Sequence, residues 1–103
     1  MTMHRYFIQL AYNGKNFHGW QIQPNATTVQ QTLNDAVSLL LSDDINMVGA
    51  GRTDTGVHAS FFVAHFDLQN PINDTGKLVY KLNKILPASI RVDKIFEVDK
   101  MMH

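Results

Sequence analysis

The sequence predicts an α+β fold, an antiparallel sheet with two helices on one face, and three observations lead there. Residues 5–12 place apolar side chains at every second position, the period of a strand buried on one side. Two later stretches repeat their apolar residues at helical spacing. Read in order, the elements run β-α-β-β-α-β, the split βαβ plan of ferredoxin-like folds.

The first strand, Arg5 to Tyr12, puts Tyr6, Ile8, Leu10 and Tyr12 on one side and Phe7, Gln9 and Ala11 on the other. Asn13-Gly14 ends it, and a stretch rich in Gly, Asn and Pro runs to Thr27. Thr27 or Thr28 can cap a helix whose apolar stripe is Val29, Leu33, Ala36, Val37, Leu40 and Leu41, closed by Ser42-Asp43-Asp44. Ile45 to Ala50 reads as a short second strand, Gly51 to Gly56 as a turn, and Phe61 to Phe66 as a third strand. Asp74 or Thr75 can cap a second helix, with Leu78, Val79, Leu82, Ile85 and Leu86 on one face and Pro87 as its stop. Ile90 to Val98 is the last strand, with Ile90, Val92, Phe96 and Val98 expected on one side and Lys94 interrupting them.

Composition narrows the class further. With 103 residues there is room for a single domain and one core, and 45% apolar residues is ordinary for a globular protein. The absence of cysteine excludes disulfides and thiolate metal sites. No apolar run approaches the roughly 20 residues of a membrane span. The start, Met1-Thr2-Met3-His4-Arg5, has no apolar core of a signal peptide, so an intracellular, cytoplasmic protein is expected. Nine Lys and Arg balance nine Asp and Glu, so a nucleic-acid surface would have to come from arrangement, not from bulk charge. The sequons at Asn25 and Asn73 carry little meaning without a secretory signal.

The densest polar segment is Gly49-Ala50-Gly51-Arg52-Thr53-Asp54-Thr55-Gly56-Val57-His58-Ala59, set between two strands that can hold it at both ends. Its glycines permit tight turns and close approach of a ligand. Arg52 offers a planar fork to phosphate, and Asp54 a carboxylate two residues away. The plainer alternative is a connection in which Thr53 and Asp54 bond their own backbone and Arg52 meets water. Other signatures fit poorly. The place of the third glycine in a dinucleotide fingerprint is taken by Asp54, and no Lys follows in P-loop register. Asp54-Thr55-Gly56 spells the aspartic-protease tripeptide, but Gly51-Arg52-Thr53 and Val57-His58 are the wrong neighbours. The five histidines (His4, His18, His58, His65 and His103) show no i, i+4 pairing, so no metal is expected. His65 alternates within a strand and reads as a packed residue. Phe17-His18-Gly19-Trp20 could stack a base or close one end of the sheet.

Several segments together resemble the tRNA pseudouridine synthase A family. Tyr12-Asn13-Gly14, Phe17-His18-Gly19-Trp20-Gln21-Ile22-Gln23-Pro24 and Thr28-Val29-Gln30 are similar to its opening, and the segment 49–59 to its active-site signature. Leu82-Asn83 and Leu86-Pro87 also match. Thr55 departs from the usual alanine, a small change beside the Asp. The resemblance implies isomerisation of uridine to pseudouridine in the anticodon arm of tRNA, without cofactor or metal. It makes Asp54 the catalytic carboxylate, with Arg52, Thr53 and His58 as RNA-binding residues. It also implies a second half, bringing an aromatic and a basic residue to the same pocket, that these residues lack. Met102-His103 is similar to the start of a Phe-His-Ala-Arg segment, so residues 1–103 are expected to be the N-terminal catalytic half cut from a longer enzyme, inactive alone and homodimeric through its exposed sheet edge. A stand-alone ferredoxin-like module that binds RNA or protein without catalysis is the alternative.

Overall fold

The computed structural model describes residues 3–13, 28–49 and 59–98. Four strands and two helices follow the expected order: β1 (His4–Tyr12), α1 (Val29–Leu41), β2 (Val48–Gly49), β3 (Ala59–Leu68), α2 (Thr75–Ile85) and β4 (Ile90–Val98). The sheet order is β2-β3-β1-β4, every pair antiparallel. β3 lies between the strands that α1 joins, and β1 between those that α2 joins. That interleaving is the split βαβ plan.

The alternation in β1 is realised in full. Tyr6, Ile8, Leu10 and Tyr12 are buried, as are Phe62, Ala64, Phe66 and Leu68 beside them on β3. Val29, Leu33 and Val37 from α1 and Leu78 and Leu82 from α2 close over this face. Each large side chain so buried contributes about 1.5–3 kcal/mol. The Tyr6 hydroxyl, carried on a ring stacked on Phe66, accepts a hydrogen bond from the Ile72 amide at 2.8 Å. No helix among the described residues is long and apolar enough to cross a membrane.

Local chemistry sets the helix ends. Thr28, in extended conformation and fully buried, caps α1 by accepting from the Gln31 amide at 3.3 Å. Ser42 ends the helix with a left-handed backbone, φ 54°, its amide returning to the Ser38 carbonyl. Asp74 caps α2 through the Lys77 amide at 3.0 Å, and the chain turns extended at Leu86, as a residue preceding proline must. Leu86 then reaches the core from outside the helix, while Ile85, expected on the buried face, stays 47% exposed.

Two strands differ from expectation. In β4 the register against β1 slips between Lys94, opposite Gln9, and Val92, opposite Leu10. Asp93 is the extra residue of a β-bulge. The bulge reverses the alternation, so Ile95 is buried and Phe96, expected beside Ile90 and Val92, stands on the opposite face at 40% exposure. The interruption at Lys94 was the sequence trace of this bulge. The second strand is shorter than 45–50, pairing only as Val48–Gly49. Ile45 and Met47 are buried as an alternating strand would have them, but their backbone groups bond to α1 and not to β3. The Ile45 amide donates to Ser38 Oγ and the Met47 amide to Asn34 Oδ1, each at 2.9 Å, while Gln30 Nε2 donates to the Met47 carbonyl.

Candidate functional site

Asp54, Arg52, Thr53 and His58 lie outside the described residues, as does the aromatic segment around Trp20. What the structure fixes is where their segments are attached. Tyr12, at the end of β1, pairs with Ala59 at the start of β3 and with Ile90 at the start of β4. The Asn13 amide then donates to the Ser89 carbonyl at 2.8 Å. β2 runs antiparallel to β3, so Gly49 leads toward this same end of the sheet. α1 opens toward it too, because Gln30 and Asn34 lie at Met47 and Ser38 at Ile45. The four residues that bound segments 14–27 and 50–58, namely Asn13, Thr28, Gly49 and Ala59, thus all face one end of the sheet. Segments far apart in sequence, each carrying chemistry-bearing residues, share one base.

The bearing under that base is stiff. The Tyr12 ring meets Phe62 edge-on at 5.8 Å, both rings buried. Thr28 is fixed by three bonds, since its carbonyl also accepts from the Thr32 amide and from Thr32 Oγ1. Such anchoring at strand and helix ends is what a site needs to hold polar side chains in place.

The sheet face away from the helices carries a row of side chains across all four strands. Val48 pairs with His65, His65 with Phe7, and Phe7 with Phe96. The Phe7 ring tilts against His65 at 6.0 Å and against Phe96 at 5.8 Å. His65 is therefore a packed, half-buried strand residue, as its alternation suggested. Lys94 Nζ stands 5.4 Å from the Phe96 ring centre, a cation over an aromatic face. Toward the far end, Arg5 grips Asp67 through two bonds of 2.9 and 3.1 Å. Those bonds lift the guanidinium's pKa above its ordinary high value. Among the described residues no three His, Asp or Glu side chains gather as a metal would require.

Sequence reasoning missed the polar edge of α1. Gln30, Asn34 and Ser38 are spaced four apart and hold the backbone that leads into segment 50–58. Asn83, singled out only as part of the resemblance, was given no role; it accepts from the Val92 amide and donates to its carbonyl, both at 2.9 Å. The available signal was a row of amides and a hydroxyl at i, i+4 and i+8 beside an apolar stripe.

Comparison with known proteins matches residues 9–103 to the tRNA pseudouridine synthase family model. The chain is 54% identical over 101 residues to the tRNA pseudouridine synthase A of Parabacteroides distasonis, covering 98% of this chain and 40% of that protein. It is 48% identical over 103 residues to the Bacteroides fragilis protein of that name, covering 100% and 41% respectively. It is 43% identical over 101 residues to that of Thermoanaerobacter pseudethanolicus, covering 98% and 41%. The chain spans about 40% of the length of these relatives. With a match across residues 9–103 and an α+β sheet of the expected order beneath it, the chain belongs to the tRNA pseudouridine synthase family.

Proposed function

We propose that the protein to which these residues belong isomerises uridine to pseudouridine in the anticodon arm of tRNA, with Asp54 as its catalytic carboxylate. The observation that supports this reading is where the ends of segment 50–58 attach. Gly49 and Ala59, which bound the Asp54 signature in sequence, lie at the same end of the sheet as Asn13 and Thr28, which bound segment 14–27. Such an enzyme works where its tRNA is, in the cytoplasm.

The chemistry sets the demands. The bond from N1 of uracil to the ribose anomeric carbon breaks, the base turns, and C5 bonds to that same carbon. C5 loses a proton and N1 gains one, so the atoms balance without oxidant, metal or cofactor. The base must first leave its stack, because neither atom is reachable within it. A carboxylate at Asp54 can then attack the anomeric carbon or C6 of the base. Arg52 can hold a phosphate or fill the space the base vacates, with Thr53 and His58 adding contacts to the RNA. Because C5 gives up its hydrogen, the test is release of label from C5-tritiated uridine in a tRNA transcript by the full-length protein. Absence of release across a set of tRNAs overturns the reading.

Arg52→Ala in the full-length protein is expected to cut turnover while its thermal melt stays within a few degrees, the behaviour of a surface residue that acts on the ligand. A loss of several kcal/mol with normal turnover of the folded remainder would make Arg52 a structural ion-pair residue instead.

Residues 1–103 alone are expected to fold, to lack turnover, and to pair with a second copy. No described strand lies beyond β4, and Phe96 stands exposed on it. The Val92 end of that edge is already occupied by Asn83, which leaves the stretch past the bulge as the contact. Sedimentation at several concentrations checks this. A strictly monomeric species at high concentration refutes the pairing, and measurable isomerisation refutes the need for further residues.

A further inference from the structure

We propose that Asn34, seconded by Gln30, is a positioning residue for the reaction: it fixes the backbone from which the Asp54 segment starts. This rests on the reading of Asp54 given above. β2 contributes just two residue pairs to the sheet, Val48 with His65 and Gly49 with Ala64. Two pairs are a weak hold on the chain that enters segment 50–58. The rest of the hold comes from α1. Asn34 Oδ1 accepts the Met47 amide at 2.9 Å, Gln30 Nε2 donates to the Met47 carbonyl, and Ser38 Oγ accepts the Ile45 amide at 2.9 Å. Both polar groups of Met47 are thus taken by side chains one helical turn apart on a single rigid element. Asn34 is 8% exposed and Met47 fully buried, so water has little access to replace a lost bond. Asn34 also lies 3.5 Å from Asn46 Oδ1 through its own amide nitrogen.

The consequence is one of register. A slip of Met47 against α1 would carry Val48 and Gly49 along β3, and a one-residue slip reverses which face each side chain meets. Asp54 follows Gly49 by only five residues in sequence, so a shift at Gly49 moves the point from which its segment starts. Misplacement by about 1 Å costs a reaction roughly 10²-fold, whereas RNA held by many phosphate contacts is little affected. Asn34 touches neither substrate nor reacting atoms and acts only through the backbone it holds.

The test uses the full-length protein and its tRNA, with label release from C5 as the rate. Asn34→Leu keeps the branched shape and removes the acceptor, and is expected to lower kcat about 10²-fold with KM within about twofold of wild type. Asn34→Asp keeps the acceptor for the Met47 amide and is expected to recover kcat to within about tenfold. Gln30→Met supplies a second variant, expected to lose kcat in the same sense, should Asn34→Leu fold poorly. Hydrogen exchange gives a readout free of activity: amides of residues 45–49 should exchange faster in Asn34→Leu, with those of α2 and β4 unchanged. Wild-type kcat in Asn34→Leu, equal losses in the Asp and Leu variants, or unchanged exchange at 45–49 would overturn the inference while leaving the proposed function standing. An inactive wild-type protein overturns the proposed function and this inference with it.

Discussion

Asp54→Asn in the full-length protein is expected to lower tRNA isomerisation by about 10⁴-fold or more, the scale on which a nucleophile or its partner is lost. The substitution is nearly isosteric. It removes the negative charge and the ability to form a bond to an electrophilic carbon, and it keeps the side chain's shape. Four decades of rate correspond to about 5.4 kcal/mol of transition-state stabilisation. Folding should not register a change of that size. Asp54 stands between Gly51 and Gly56 in a polar segment, where no apolar neighbour in sequence can cover it, so stability is expected to stay within about 1 kcal/mol. Label release from C5-tritiated tRNA, set beside a thermal melt, separates the two quantities. Retention of more than a tenth of the wild-type rate would sink the assignment, and a melt lowered by many degrees would make Asp54 a structural residue.

The parts of the fold that were legible in the sequence are those in which one local pattern decides the outcome. β1 is buried on one side and bonded to β3 and β4, so its period of two passes unaltered from sequence to structure. The stripes on α1 and α2 were readable for the same reason, and their caps Thr28 and Asp74 because capping is chemistry within three residues. What was not legible depends on partners distant in sequence. The bulge at Asp93 is defined only against Gln9 and Leu10, and left no trace beyond a charge in an apolar run. The short β2 follows from side chains 7 to 17 residues earlier that take over its backbone bonds. For the site, residue types suggested Arg52 and Asp54, but an ordinary turn explained them as well; resemblance to a family carried the rest.

The same resemblance rested on Thr28-Val29-Gln30 and Leu82-Asn83, segments with no evident chemistry. The structure supplies a physical use for them. Thr28 caps α1, Gln30 holds Met47, Leu82 is core, and Asn83 brackets Val92. It also shows a likeness between the two βαβ halves that has no visible sequence repeat. In each half an asparagine on the helix binds the backbone of the segment that follows: Asn34 for Met47, Asn83 for Val92.

Leu33→Ala and Leu82→Ala are each expected to destabilise the fold by about 2–5 kcal/mol, the cost of truncating a leucine in a close-packed core. Both side chains are 0% exposed, one from each helix, and both belong to the cluster that joins the helices to the sheet. Truncation removes their apolar contacts and leaves a cavity that rigid strands beneath cannot readily close. The upper end of the range applies where the neighbours are held by other bonds. Leu33 qualifies, because Asn34 beside it ties α1 to Met47, and Leu82 does as well, because Asn83 ties α2 to Val92. Leu39→Ala is the internal control: it shares α1 with Leu33 but is 72% exposed, and should stay within about 0.5 kcal/mol. Against a total stability of about 5–15 kcal/mol, either core truncation alone is a large fraction, and the pair together should leave little folded protein. Urea titration with a common slope measures all three. Costs below about 1 kcal/mol at both leucines, or a cost at Leu39 equal to theirs, would mean that the helices do not close over the sheet as described.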